Sequence, residues 1–276
     1  MKVRMYNVGF GDCFCLRDRK KSLLVDFGTN NSRIEGRPRR EIFDVIISDL
    51  STIKSKNLLL THFHMDHLSG LLYMMKKKDI SVDFGKIYLP DVFSKKEMSR
   101  TLVLLLLADL LKESGLPSRQ VSLFALVDAL LENKQNVELL SRGKLFENKY
   151  QALWPDTDVI RKETDEVYNR ICEDGKFKEV MDVLLEFAEK LRLIVWSMTA
   201  EGNKPAETVE KETDLTASEL TEQPEVRQKI IRAYVYEREF RRIKALPDFK
   251  KLLAWLNENQ INLRQFKHKI SIVFQN

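Results

Sequence analysis

The stretch Thr61-His-Phe-His-Met-Asp-His-Leu-Ser-Gly70 decides which fold and which chemistry this sequence predicts. Three of the four histidines in the chain fall within six of its residues, and a carboxylate lies between them. Neutral imidazoles and carboxylates are both metal ligands. The H-x-H-x-D-H spacing therefore predicts a metal site, with the candidate ligands His62, His64, Asp66 and His67.

The flanks of this metal-ligand loop (residues 61–70) predict its local structure. The apolar run at 57–60 is typical of a buried strand, and residues 68–75 are typical of the first turns of a helix. A loop between a strand and a helix can aim several side chains at one point. Because side chains two apart on an extended strand point the same way, we expect His62 and His64 to bind one ion.

Asp66 and His67 follow after the chain turns, and we expect them to reach a second ion. Zinc is the first candidate, as one or two ions, and manganese and iron also fit imidazole and carboxylate ligands. Zinc lowers the pKa of a bound water to about 7, which makes hydroxide available at neutral pH. Asp66 is the candidate catalytic residue, because its carboxylate could orient the attacking water.

Composition limits the class of protein. The chain has 276 residues, 43% of them apolar, and a net charge of +5. This small excess gives at most a mild preference for anionic substrates and does not by itself indicate nucleic-acid binding. Three cysteines are too few for a disulfide framework and fit a reducing compartment; they are Cys13, Cys15 and Cys172. Without a signal peptide or an apolar run of about 20 residues, we expect a soluble cytoplasmic protein that does not enter membranes.

Strand and helix patterns alternate over the first 156 residues, which predicts an α/β layered domain. The expected strands lie at 3–8, 13–16, 22–26, 57–60, 86–89, 137–140, 144–147 and 150–154. A helix is expected at 40–53, and residues 94–134 have the pattern of a helical hairpin.

Residues 157–265 have a different pattern, and we expect them to form a large α-helical insertion. Within it, residues 199–225 are rich in Glu and Thr and poor in apolar side chains, which is typical of a mobile linker. A β-type run returns only at 270–274, so residues 266–276 are expected to carry a strand back into the core.

The metal-ligand loop resembles that of the metallo-β-lactamase superfamily. Two flanking segments resemble the opening hairpins of the branch that includes the metallohydrolase domain of DNA-uptake competence proteins (the ComEC type). These segments are Asn7-Val-Gly-Phe-Gly-Asp-Cys13 and Leu23-Leu-Val-Asp-Phe-Gly-Thr29. The resemblance makes Asp26 the buried carboxylate of the family's first motif, which supports the metal-ligand loop from behind.

Two later segments resemble strands of the same family, Tyr150-Gln-Ala-Leu-Trp-Pro155 and His268-Lys-Ile-Ser-Ile-Val-Phe274. In the second, His268 takes the place of an asparagine. It is either a distant metal ligand or a surface histidine between two lysines.

The resemblance implies an αββα sandwich, of which this sequence supplies the first half (1–156) and the opening of the second. In the family, the strand that matches 271–274 leads into a Gly-Asp motif and then a further histidine, and neither occurs here. We therefore expect an N-terminal portion of a longer protein. A half completed by a second polypeptide and a degenerate, non-catalytic remnant are the alternatives.

The function predicted from these motifs is metal-dependent hydrolysis, with phosphodiesters and nucleic acids as the first substrate class to test. A thioester or lactam hydrolase is an alternative within the same fold. The alternative outside enzymes is a regulatory module whose helical insertion binds a protein partner. A basic group in that insertion is either a solvated helix face or an anion-binding patch; it consists of Arg238, Arg241, Arg242 and Lys244.

Overall fold

The computed structural model describes most of the chain. That part is residues 1–18, 21–77, 83–113, 122–133, 135–173, 175–200, 243, 245–259, 261, 263 and 269–275. The chain divides into two compact units. The sandwich unit comprises Met1–Asp91, Ser118–Thr157 and Lys267–Asn276, and the helical unit comprises Val92–Pro117 and Asp158–Phe266.

The sandwich unit is built on a six-stranded mixed sheet. Its strands are β1 (Lys2–Met5), β2 (Phe14–Asp18), β3 (Lys21–Val25), β6 (Lys56–Leu59), β7 (Ile87–Pro90) and β8 (Val137–Leu140), in that spatial order. Strands β1 to β3 pair antiparallel, and β3, β6, β7 and β8 pair parallel. A small hairpin of β4 (Arg33–Ile34) and β5 (Arg37–Pro38) leads into helix α1 (Arg39–Ser51), and α2 (Met65–Met75) follows β6.

A second sheet covers one face of the first. It consists of β9 (Leu145–Phe146), β10 (Tyr150–Trp154) and β11 (Val273–Gln275), with β10 in the centre and both pairings antiparallel. Inward side chains of both sheets form one apolar core: Leu23, Val25, Leu59, Tyr88, Leu140, Phe146, Tyr150, Ala152 and Ile272. The two sheets thus form a β-sandwich.

The helices of this unit lie on the opposite face of the first sheet. Arg4 and Arg17 both form ion pairs with Asp49 of α1. Successive side chains of a strand point to opposite faces of the sheet, so these arginines and α1 lie on the face away from the second sheet. Helix α1 buries the apolar positions 42, 43, 46, 47 and 50, as the 3.6-residue period requires. The Phe27 ring meets the Phe43 ring edge-on, with 5.2 Å between centroids.

The four parallel strands all end at the same edge of the first sheet. Asp26 follows β3 directly, Asp91 follows β7, and Thr61 lies two residues beyond β6. Polar side chains from three connections therefore meet at one carboxyl edge, which is where open α/β sheets bind ligands.

The helical unit contains α3 (Ser99–Glu113), α6 (Lys178–Ser197), α7 (Pro247–Glu258) and nearly all of α5 (Thr157–Cys172), while α4 (Ser122–Glu132) belongs to the sandwich unit. Polar contacts join α3 to α5: Arg100 pairs with Asp165 at 2.7 Å, and the Thr101 and Thr164 hydroxyls lie 3.1 Å apart. None of the helices that the structure describes is long and apolar enough to cross a bilayer.

The predicted α/β class is confirmed. In the sequence, helices follow β10 and precede β11, which is where the insertion was expected. One boundary was wrong, because α2 begins at Met65, three residues before the predicted start. The returning strand is shorter than expected and lies at Val273–Gln275. The 201–225 part of the predicted linker lies outside the described residues, as do the basic residues Arg238, Arg241, Arg242 and Lys244. The predicted domain limits and the hairpin pairing within 94–134 stay predictions.

We predict that Phe146→Ala destabilises the sandwich unit, because the Phe146 ring is 2% exposed in the core between the sheets. The loss should be about 3–5 kcal/mol in the free energy of unfolding. The neighbouring Leu145, 68% exposed on the same strand, supplies the matched control. Leu145→Ala should change the free energy of unfolding, measured by urea denaturation, by less than about 0.5 kcal/mol. Equal effects of the two substitutions would contradict the assigned strand faces.

Candidate metal centre

The centre of the carboxyl edge is Asp26, whose side chain is almost fully buried. Its backbone has a left-handed conformation (φ 56°), which aspartate adopts more readily than most residues. The Asp26 N–H donates to the Leu59 carbonyl at 2.8 Å, so this sharp turn stays attached to the end of β6. The carboxylate is thereby placed directly behind the metal-ligand loop.

Asp26 accepts three hydrogen bonds from that loop. Its Oδ1 accepts the Thr61 N–H at 2.8 Å, and its Oδ2 accepts the Thr61 hydroxyl at 2.7 Å. The same Oδ2 lies 2.9 Å from Nδ1 of His67. One buried carboxylate therefore fixes both the start of the loop and its last histidine.

These contacts also determine where the histidine protons lie. An ionised carboxylate can only accept, so the Thr61 hydroxyl and the His67 Nδ1–H are the donors. The Thr61 hydroxyl has no second proton, so it accepts from Nδ1–H of His62, 3.0 Å away. In their neutral forms, His62 and His67 both carry the proton on Nδ1 and keep the lone pair on Nε2, as a metal ligand requires.

The three imidazoles of the loop form one cluster. The His62 ring centroid lies 3.7 Å from that of His67 and 4.8 Å from that of His64. His62 and His64 were expected to point the same way because they lay on an extended strand. That reason was wrong, because β6 ends at Leu59 and neither residue lies on a strand. The loop folds into α2 instead, with His64 at its N-cap and Asp66 and His67 in its first turn.

Carboxylates surround His67. Asp66 Oδ2 lies 3.9 Å from its Nε2, and Asp12 Oδ2 lies 3.5 Å from its Nδ1. Ligand atoms of Asp12, Asp26 and His67 all lie within 4.8 Å of one another, a spacing that could hold a metal ion. Asp12 was not among the candidate ligands predicted from the sequence. Its place after Gly11, in a segment that resembles a family motif, was the available signal.

Two glycines allow the neighbouring loops to approach the metal-ligand loop. A Cβ atom on Gly11 would lie 2.7 Å from the Asp66 carbonyl oxygen, and one on Gly28 would lie 2.6 Å from the Leu68 nitrogen. Real Cβ atoms do not approach so closely, so the sequence needs glycine at both positions. The Asp12 N–H also donates to the Asp66 carbonyl at 3.3 Å. The three loops therefore form one packed layer.

The loop after β3 also anchors α2. The Phe27 N–H donates to the His67 carbonyl at 2.7 Å, and the Phe27 carbonyl accepts the Gly70 N–H at 2.8 Å. Thr29 and Ser69 exchange two hydrogen bonds, both at 2.9 Å. These bonds fix the first turn of α2 and with it the positions of Asp66 and His67.

The electrostatics of the cluster favour a cation. Burial raises the pKa of Asp26, and the hydrogen bonds from His67 and Thr61 oppose this rise only in part. Burial lowers the pKa of His67, but the hydrogen bond and charge of Asp26, with the charges of Asp66 and Asp12, outweigh it and raise that pKa. The surroundings of His67 are therefore negative, which stabilises positive charge.

The donor set fits a divalent metal, since imidazole nitrogens and carboxylate oxygens lie together on a rigid edge. All three Asp26 contacts are made within the chain, so this residue is better suited to orient ligands than to bind an ion.

His268, the expected distant ligand, lies outside the described residues. Cys13 and Cys15 are buried, and burial raises the pKa of Cys13, which disfavours the thiolate that binds metals.

Comparison with known families agrees with this geometry. Residues 6–91 match the model of the metallo-beta-lactamase superfamily. Residues 6–91 form a metallo-beta-lactamase superfamily domain. No curated protein and no solved structure matched the chain.

The metallo-beta-lactamase domain includes every residue of the cluster, from Asp12 to His67. The mixed α/β sandwich is consistent with that fold. The domain and the candidate metal group together indicate a metal-dependent hydrolase. They specify neither the ion nor the substrate.

We predict that the Thr61 hydroxyl sets the tautomer of His62. Thr61→Val keeps the side-chain shape and the N–H bond to Asp26 but removes the acceptor of the His62 Nδ1–H. Two-bond proton–nitrogen spectra of the metal-free protein, at a pH where imidazoles are neutral, should show the His62 proton moving from Nδ1 toward Nε2. Thr61→Ser should restore the wild-type pattern. An unchanged His62 tautomer in Thr61→Val would show that the relay through Thr61 does not operate.

Proposed function

We propose that this chain is a metal-dependent hydrolase that uses one or two zinc ions to cleave phosphodiesters, with nucleic acids as the first substrate class. The observation that carries the proposal is the hydrogen-bond network centred on Asp26. It directs the Nε2 lone pairs of two clustered imidazoles away from their supports. Histidines that bind a metal through Nε2 typically donate their Nδ1–H to a partner of this kind.

Each residue of the loop has a role in this proposal. His62 and His64 would bind the first ion, and Asp66 and His67 the second. Asp26 would orient His67 directly and His62 through Thr61. Removing a hydrogen-bond partner of this kind typically weakens metal binding 10- to 100-fold.

A bound zinc ion supplies a water that loses its proton near neutral pH and a positive charge beside the scissile group. The chain supplies the rest of the chemistry. Asp66 is partly exposed in the first turn of α2, where its carboxylate can accept a proton from a water and aim that water at the substrate. The positive end of the α2 dipole favours negative charge in this turn.

The choice of phosphodiesters rests on the likeness of residues 7–13 and 23–29 to competence-type metallohydrolases. The net charge of +5 agrees with an anionic substrate. Thioester and lactam hydrolysis use the same fold, and fold alone does not fix the substrate.

The rival function is a regulatory or interaction module whose helical insertion binds a protein. One observation favours it: the family match ends at residue 91, so residues 157–265 lie outside it. That segment would then carry the function, and the metal-ligand loop would be structural.

We predict that the purified chain binds zinc and hydrolyses bis(p-nitrophenyl) phosphate, and that His64→Ala loses most of both. Removing one of the first ion's ligands should lower the turnover at least about 100-fold, as loss of a directly reacting group does. Zinc per chain and initial rates are the measurements, repeated with manganese and iron.

The fourth histidine supplies a second variant for the same assay. If His268 is the distant ligand, His268→Ala should lose zinc and activity as His64→Ala does. If it is a surface histidine, this variant should match the wild type. A chain that binds no metal, or whose activity ignores His64, would contradict the hydrolase and favour the interaction module.

A further inference from the structure

An aromatic side chain projects into solvent beside the metal centre. Phe10 is 80% exposed, the most exposed large apolar side chain in the described part of the chain. Its backbone is nevertheless held firmly. The Phe10 N–H donates to Oδ1 of Asn31 at 3.1 Å, and its carbonyl accepts Asn30 N–H at 2.9 Å and the Thr29 hydroxyl at 3.2 Å. The ring is therefore presented from a rigid loop, which makes stacking less costly in entropy.

The position of Phe10 connects it to the candidate metal site. The next residue is Gly11, which touches the metal-ligand loop, and then Asp12, whose carboxylate lies 3.5 Å from the His67 ring nitrogen. Two residues span at most about 7 Å between Cα atoms. The Phe10 backbone therefore lies at the rim of the site, and its side chain is exposed there.

Four arginines lie on the segment that follows Asn31. They are all exposed, and they occupy half of the positions from 33 to 40: Arg33, Arg37, Arg39 and Arg40. The hairpin pairs Arg33 with Pro38, and the Arg39 N–H donates to the Ser32 carbonyl at 3.0 Å. These contacts fold the segment back on itself. The segment that carries the four arginines thus follows directly after Asn31, whose side chain holds the Phe10 backbone.

Fold stability does not explain these arginines. Among the described residues, none of the four forms an ion pair, and the one hydrogen bond of the Arg33 side chain goes to the Gly36 carbonyl at 3.5 Å. Arg39 and Arg40 lie in the first turn of α1, where basic side chains oppose the helix dipole. The neighbouring acidic side chains are Glu35, which accepts a hydrogen bond from Asn7, and Glu41. The local charge remains positive.

We propose that Phe10 and the arginines of residues 33–40 form a binding surface for single-stranded nucleic acid at the rim of the metal centre. This proposal rests on the proposed function, because it names the polymer that the phosphodiesterase would receive. Guanidinium groups bind phosphates in bidentate fashion, and an exposed ring stacks on an unpaired base. The joint presence of both groups favours this ligand over a duplex, whose bases are stacked internally, and over an acidic peptide, which has no bases.

The test is binding of a fluorescent oligothymidylate of about twelve nucleotides, measured by anisotropy with the metal chelated so that nothing is cut. Phe10→Ala should weaken binding roughly 5- to 150-fold, the effect of one lost stacked base. Arg37→Ala with Arg40→Ala should weaken binding and reduce the slope of log K against log salt by roughly 1.4, for two lost phosphate contacts.

Matched controls occur in the same unit. Met5 is 72% exposed, and Met5→Ala should bind as the wild type does. Lys2 and Lys54 are exposed at the opposite edge of the first sheet, so Lys2→Ala with Lys54→Ala removes the same charge without touching the surface. Equal weakening by the control pair and the arginine pair would overturn the proposal. So would arginine-dependent binding that ignores Phe10, or equal affinity for polyglutamate or a duplex.

Hydrolysis of bis(p-nitrophenyl) phosphate separates this proposal from the proposed function. That ester is too small to need the rim, so the Phe10 and arginine variants should hydrolyse it at the wild-type rate with zinc. If the wild type binds the oligonucleotide in the predicted pattern but hydrolyses no ester, the hydrolase fails and the binding surface stands. If it hydrolyses the ester but the rim variants bind the oligonucleotide normally, the binding surface fails.

Discussion

The candidate site depends on one buried carboxylate. Asp26 costs free energy to bury, and it is tolerated because Thr61 and His67 supply three hydrogen bonds. Those same bonds fix the loop that carries the histidines and assign the protons on two of them. Removing the charge would leave buried donors without an acceptor and free both imidazoles to rotate. Structure and proposed chemistry therefore depend on the same interaction.

The fold explains why this carboxylate is where it is. Parallel pairing of β3 with β6 places Asp26 and Thr61 at the same edge, and the second sheet closes the apolar side beneath them. The Ile272 N–H donates to the Thr61 carbonyl at 2.8 Å, so the returning C-terminal segment also contacts the loop. Residues from three distant parts of the sequence thus position one loop. The arginine segment and Phe10 extend the same edge outward.

Sequence reasoning could predict what depends on local pattern. The apolar runs and the histidine spacing predicted the strands, the α/β class and the cluster at 62–67. It failed where tertiary contacts decide. The start of α2 at Met65 follows from hydrogen bonds to Phe27, which lies far away in sequence. The proximity of Asp12 to His67 depends on glycines that permit close packing, and the role of Thr61 depends on a proton count that needs distances. No periodicity encodes these relations.

Zinc affinity of Asp26→Asn tests the central claim most directly. The substitution keeps the side-chain shape but removes the charge that orders His67 and, through Thr61, His62. Calorimetric titration should show zinc binding weakened about 10- to 100-fold relative to the wild type. Asp49→Asn, which removes a charge that pairs with Arg4 and Arg17 away from the site, should bind zinc normally. Unchanged zinc affinity in a folded Asp26→Asn protein would contradict the account.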